Sequence, residues 1–187
     1  MSETFRQTVH LLMGLLGAGI ILRLNDREAF IFASAALVVM FLLCDAFTRG
    51  HDVPVLSGVM DEVERRGKVP LKGGIVYTVG ALFCLAVFGR EYTTAGLVTF
   101  GVLDSISTLA GLRFARHTLW GGKSLEGTLT GAAAALALMF LIPGWAAAVV
   151  AGVASVVEAY SPVEDNVAIQ VGACLTLTLL EVGMGMS

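Results

Sequence analysis

Apolar residues run through this 187-residue chain in long blocks separated by short clusters of charge, and the blocks set its reading. A helix needs about 20 mostly apolar residues to cross a bilayer core. Cutting the chain at its charge clusters leaves seven stretches of that order: 9–24, 28–45, 74–88, 93–112, 125–142, 144–160 and 162–182. The first is short enough to suit the core of a signal peptide as well, but Arg23 and Arg27 close it and no small-residue cleavage site follows. Pro143 divides the fifth from the sixth. Ser161-Pro162-Val163-Glu164 reads as a capping box that starts the seventh helix at Pro162. Ser124 reads as the N-cap of the fifth helix, and Gly127, Gly131 and Ala135 give that helix a small-residue face for close packing within the chain or in a homodimer. The boundary at 24–28 is the least marked. Nothing repeats at a fixed period and no low-complexity linker intervenes. The pattern predicts one all-α domain over 1–187, a polytopic membrane helix bundle of about seven transmembrane helices.

Composition agrees. Apolar residues make up 56% of the chain and charged residues 14%, against about 25% charged in an ordinary globular protein, and mean hydropathy is +0.82. A net charge of −3 leaves no concentrated basic surface for a nucleic-acid partner. Cys44, Cys84 and Cys174 sit singly in apolar runs, which points to neither a disulfide framework nor a zinc site. The basic residues are unevenly divided: Arg6, Arg49, Arg65, Arg66, Lys68, Lys72, Arg113, Arg116 and Lys123 alternate onto the N-terminal side, and Arg23, Arg27 and Arg90 onto the other. The positive-inside rule then predicts an integral membrane protein with a cytoplasmic N-terminus. Between the second and third stretches, Asp61-Glu62-Val63-Glu64-Arg65-Arg66 fits a short amphipathic surface helix or a solvated connector.

Ionisable groups inside a span cost about 2.5–3.5 kcal/mol each on insertion scales, so each needs a partner or a purpose. Asp104 is the outstanding case, with Gly101, Thr108 and Gly111 on its helical face. Glu158 near the end of the sixth stretch and Asp165-Asn166 in the seventh come close if the intervening turn is tight; they offer the hard oxygen ligands that Mg²⁺ takes alongside substrate phosphates. Helix capping is the plainer explanation of Asp165. The third feature is Gly121-Gly122-Lys123-Ser124-Leu125-Glu126-Gly127. It falls short of a P-loop because His117 stands where the first glycine belongs and the preceding segment is a membrane helix. Two glycines, a helix N-terminus and a lysine nevertheless make a phosphate cradle, the alternative being a flexible turn with a snorkelling lysine. All three features fall on the side assigned to the cytoplasm, so a soluble nucleotide and a membrane lipid could meet there. With His10, His51 and His117 the only histidines, no serine or cysteine triad is evident.

Asp104-Ser105 with Gly111, then Gly122-Lys123-Ser124-Leu125-Glu126-Gly127, then Glu158 and Asp165-Asn166 together resemble, in identity and order, the CTP-dependent polyprenol kinases, the group of dolichol kinase, phytol kinase and CTP-using diacylglycerol kinase. Arg6 to His10 looks like that family's N-terminal Arg-Lys-x-x-His segment, and Pro70-Leu71-Lys72-Gly73-Gly74 is similar to its entry into the third span. The chain departs from the family at Leu103 before the aspartate, at Gln7 and at Ala115. The resemblance implies transfer of the γ-phosphoryl group of CTP to a lipid alcohol, with Mg²⁺ as cofactor. By that resemblance Gly121, Gly122, Lys123, Ser124, Glu126 and Gly127 bind the nucleotide and Asp104, Glu158, Asp165 and Asn166 the metal. Asp104 and Lys123 act in catalysis, Asp104 by holding metal or by activating the lipid hydroxyl. A cytidylyltransferase acting on a lipid phosphate would use the same nucleotide but carry a different aspartate-rich signature. A transporter or assembly protein would be expected to show an inverted repeat or ionisable groups spread through the bilayer depth.

Overall fold

The computed structural model describes residues 3–51, 58, 69–161 and 164–184. These form seven α-helices: α1 (Glu3–Arg23), α2 (Asp26–Thr48), α3 (Lys72–Phe88), α4 (Arg90–Phe114), α5 (Leu125–Ala135), α6 (Gly144–Tyr160) and α7 (Asp165–Met184). Short 3₁₀ segments lie at Trp120–Gly122 and Leu136–Phe140, and there is no strand among the described residues. The protein is an all-α bundle. Four helical stretches are long and apolar enough to cross a membrane: Glu3–Arg23, Asp26–Thr48, Arg90–Phe114 and Asp165–Gly183. Their surfaces fit that solvent, since α2 carries Leu42 at 67% exposed and Val38 at 58%, apolar exposure that water would penalise along a whole helix.

Each of the seven stretches expected as spans holds a helix, and the structure refines two details. First, α3 and α6 are apolar and hold 17 residues each, about 26 Å at 1.5 Å per residue, the short end of what spans a hydrocarbon core. Second, the fifth stretch is not one helix. It runs as α5 to Ala135 and then tightens into the 3₁₀ segment, the Leu136 N–H reaching the carbonyls of Ala133 and Ala134. Pro143 disfavours helical geometry at the residue before it, which closes the segment. The seventh helix begins at Asp165 rather than Pro162: Glu164 is not helical, and its carbonyl accepts from the N–H groups of Val167 and Ala168. Pro162 and Val163 of the expected capping box, and the charge run at 61–66, lie outside the described residues.

The boundary that read as weakest is well capped. Asn25 accepts from the Glu28 N–H at 2.9 Å and the Glu28 carboxylate accepts from the Asn25 N–H at 3.0 Å, a reciprocal capping box at the start of α2. Arg90 ties the same end together. Its backbone N–H donates to Asp26, and its guanidinium donates to the Leu24 carbonyl at 2.8 Å.

At the centre is α4, packed against α1, α3, α5, α6 and α7, with Leu97, Phe100 and Leu103 fully enclosed. Close approach depends on glycine. A Cβ on Gly14 of α1 would stand 2.8 Å from the Gly101 Cα of α4, and one on Gly127 of α5 would stand 2.5 Å from the Ser107 carbonyl oxygen. The Gly127, Gly131, Ala135 face is therefore used inside the chain, against α4.

Candidate functional site

The ionisable residues singled out in the sequence gather at the end of the bundle that carries the α1 N-terminus. Glu158 lies in the last turn of α6, and its side chain is 1% exposed, a burial that a carboxylate tolerates only when fully partnered. Three donors meet it: Lys123 Nζ at 2.5 Å and Ser107 Oγ at 3.1 Å on one oxygen, and Thr128 Oγ1 at 3.3 Å on the other. Lys123 also donates to Asp165 Oδ2 at 2.8 Å in the first turn of α7. One ammonium thus joins the loop before α5 to α6 and α7. Burial opposes its charge, but the hydrogen bonds that the ammonium donates to Asp165 and Glu158 prevail and push the Lys123 pKa up to about 12.

The loop holding Lys123 is a narrow hairpin. Thr118 pairs with Ser124, the Leu119 N–H donates to the Lys123 carbonyl and the Leu125 N–H to the His117 carbonyl. Its tip requires glycine, because Gly121 and Gly122 have φ of 66° and 82°. Ser124 caps α5 as expected, accepting from the Gly127 N–H at 3.1 Å. The consequence for a phosphate cradle is specific: the α5 N–H groups of Leu125 and Gly127 are already bonded within the loop, so the charge of Lys123 and the glycine tip are what the loop offers to an anion.

Of the expected nucleotide-binding stretch, Gly121, Gly122, Lys123 and Ser124 line the cavity at this end, and Glu126 and Gly127 do not. Glu126 accepts from the backbone N–H groups of Arg116 and His117 and meets the His117 ring at 2.6 Å, holding the hairpin in shape. Gly127 provides the α4–α5 crossing. Asn166 donates to the Gly73 carbonyl at 2.9 Å, which links α7 to the start of α3 and leaves its amide oxygen as an acceptor.

Asp104, 8% exposed, faces the same cavity from α4. Its carboxylate makes no hydrogen bond among the described residues; His10 Nδ1 of α1 stands 3.9 Å away. Thr108 and Gly111 share that lining, whereas Gly101 of the same predicted face is taken up by the contact with Gly14. Sequence reasoning assigned no role to Ser107 or Thr128, read Lys72 only as an orienting charge at the entry to the third span, and read Glu164 only as part of a helix cap. Ser107 lies three residues after Asp104, one helical turn on the same face, and that spacing was the available signal. Lys72 and Glu164 form an ion pair across the mouth, whose residues are too distant in sequence for any local pattern to join.

The cavity encloses about 1160 Å³. Among the described residues its polar end holds five carboxylates, Glu3, Asp104, Glu158, Glu164 and Asp165, against three cations, Arg6, Lys72 and Lys123, each of which is already ion-paired. Among those residues the excess of acid favours a polyphosphate that arrives with a divalent cation. The donor set suits Mg²⁺, being hard oxygens from Glu158, Asp165, Asp104 and the Asn166 amide, although among the described residues no three His, Cys, Asp or Glu side chains converge as a metal-binding group. Away from this end the lining turns apolar, through Met13, Leu16, Ile20, Phe32, Ala36 and Met40.

Among proteins of known sequence, the chain is similar to the uncharacterized protein MJ1137 of Methanocaldococcus jannaschii, 27% identical over 173 residues that cover 89% of this chain and 87% of that one. No protein-family model matches the chain, and no solved structure does.

Proposed function

We propose that the protein is a CTP-dependent lipid kinase, transferring the γ-phosphoryl group of CTP to the hydroxyl of a lipid alcohol at the cytoplasmic face of the membrane. The observation that carries this reading is one cavity with two chemistries, a carboxylate- and lysine-lined chamber at a helix-end face opening into an apolar cleft. A phosphate donor from water and an acceptor from the bilayer would meet in it. The preference for CTP over other nucleotides, and the group of polyprenol, phytol-like and diacylglycerol-like acceptors, rest on the resemblance of residues 101–166.

In this reading the lipid hydroxyl oxygen attacks the γ-phosphorus, its bond to phosphorus forming as the bond from that phosphorus to the β,γ-bridging oxygen breaks, and CDP leaves. The hydroxyl proton passes to the Asp104 carboxylate, which has no competing hydrogen bond among the described residues and faces the cavity. Lys123 supplies a fixed positive charge beside the phosphates and exchanges part of its contact with Glu158 and Asp165 for them. Glu158 and Asp165, with Asn166, would hold Mg²⁺, whose contribution when bound is to neutralise the polyphosphate. The chain's own contribution is positioning, because effective molarity and fixed charge supply most of the acceleration in phosphoryl transfer.

Asp104→Asn tests the assignment with little change of shape. Turnover of γ-labelled CTP into lipid phosphate should fall at least about 100-fold, the lower range for loss of a general base, while the protein stays folded in detergent. Full activity in this variant contradicts the role.

A further inference from the structure

The cavity continues past Asp104 into a cleft between α1 and α2, floored by α3 and α4. Near the turn that joins the two helices, Ala18 and Ile21 of α1, Ala29 and Ala33 of α2, Ala81 and Leu85 of α3 and Leu97 of α4 form one buried cluster that closes this end. Nearer the polar chamber they diverge, α1 packing on α4 and α2 on α3, with cavity between them. From His10, beside Asp104, to Ile21 at the closed end is about 16 Å along α1. That is roughly half of a 30 Å hydrocarbon core, the depth of one leaflet.

We infer that this cleft holds the hydrocarbon chain of the acceptor alcohol, entering sideways from the cytoplasmic leaflet with its hydroxyl toward Asp104. The inference rests on the kinase reading for the identity of the occupant as substrate. Three observations carry it. The lining grades from ionisable groups to Leu16, Ile20, Phe32 and Ala36, matching an amphiphile along its length. The cleft ends one leaflet deep, so a chain lies in it with its headgroup at the membrane face. Tyr77 stands at the junction of chamber and cleft, its ring 5.5 Å from that of Phe100 and its hydroxyl buried without a hydrogen-bond partner among the described residues. A Cβ on Gly17 would stand 2.6 Å from that hydroxyl, so the tyrosine packs directly on α1 where the chamber meets the cleft.

The test is photolabelling in nanodiscs with hexadecanol carrying a diazirine near its methyl end, followed by peptide mapping. Label should concentrate on 16–21 of α1 and 32–40 of α2, be displaced by unlabelled lipid alcohol and not by phosphatidylcholine, and fall about tenfold in Ala36→Trp, which fills the cleft. Ala36→Ser, of nearly the same size, should label as the parent does. Label spread evenly over the lipid-facing helices, or displaced equally by phosphatidylcholine, overturns the inference. Cleft labelling that persists in a protein unable to move phosphate from CTP leaves the chain-binding cleft standing and removes the kinase reading, so the two fail separately.

Discussion

Glu158 and Lys123 show most clearly how one residue depends on another here. A carboxylate almost wholly removed from water is stable because an ammonium and two hydroxyls reach it, and removing one partner of such a buried pair typically costs about 3–5 kcal/mol. Lys123→Met should therefore lower stability by about that amount in chemical unfolding. Adding Glu158→Gln should recover part of it, because the uncompensated charge is gone; a double variant as unstable as the summed singles would show that the two do not interact. The pH behaviour follows from the raised Lys123 pKa. The folded-state value is about 12 and the ordinary one 10.5, so the stabilisation from its charge is complete below 10.5 and is lost as pH rises through 12. Between pH 6 and 9 thermal stability should owe no pH dependence to this residue, and the alkaline loss should be absent from Lys123→Met. Sequence alone brought Glu158 and Asp165 to attention as carboxylates at helix ends and Lys123 as part of a phosphate-binding turn, and it did not join the three. Their mutual bonding depends on how α6 and α7 approach the hairpin, which no local pattern encodes.

Helix ends and crossings govern the elements. The capping box at Asn25 and Glu28 was legible as an Asn followed three residues later by Glu, yet the run of Asp26, Arg27 and Glu28 reads more readily as a charge cluster than as a first helical turn. Asn25→Ala should cost about 0.5–2 kcal/mol, measured as a lower unfolding midpoint, with the site chemistry intact because the cap lies at the opposite end of the bundle. Gly127→Val makes the opposite demand. Its side chain would collide with the Ser107 carbonyl, pushing α5 from α4 and displacing both Ser107 and Thr128 from Glu158, so activity and stability should fall together. A loss confined to the KM for CTP would instead give Gly127 the nucleotide-binding role that the resemblance implies. The break of the fifth stretch at Ala135 was not legible, since no proline lies between 125 and 142, both glycines, Gly127 and Gly131, precede the break, and the 3₁₀ segment packs on α6 through tertiary contact.

For the whole molecule, an all-α bundle with membrane-crossing helices was legible from blocks of apolar residues alone, because hydrocarbon demands internally bonded backbone whatever the side chains are. Seven helices among the described residues match the seven apolar blocks; their ends were less legible, because apolar blocks mark what avoids water and not where a helix stops. Orientation makes its own prediction. With Cys44, Cys84 and Cys174 replaced, a cysteine at His51, on the polar-chamber side of α2, should resist a membrane-impermeant maleimide in intact cells, and one at Glu91, on the opposite side, should react; the reverse result would place the chamber outside. The central claim concerns chemistry, and label transfer reaches it most directly. Purified protein is given Mg²⁺, a mixed lipid-alcohol extract and CTP labelled at either the α or the γ phosphorus. The account predicts lipid-borne label from the γ position alone; label from the α position alone would make the protein a cytidylyltransferase, and lipid free of label from both would contradict phosphoryl transfer to those acceptors.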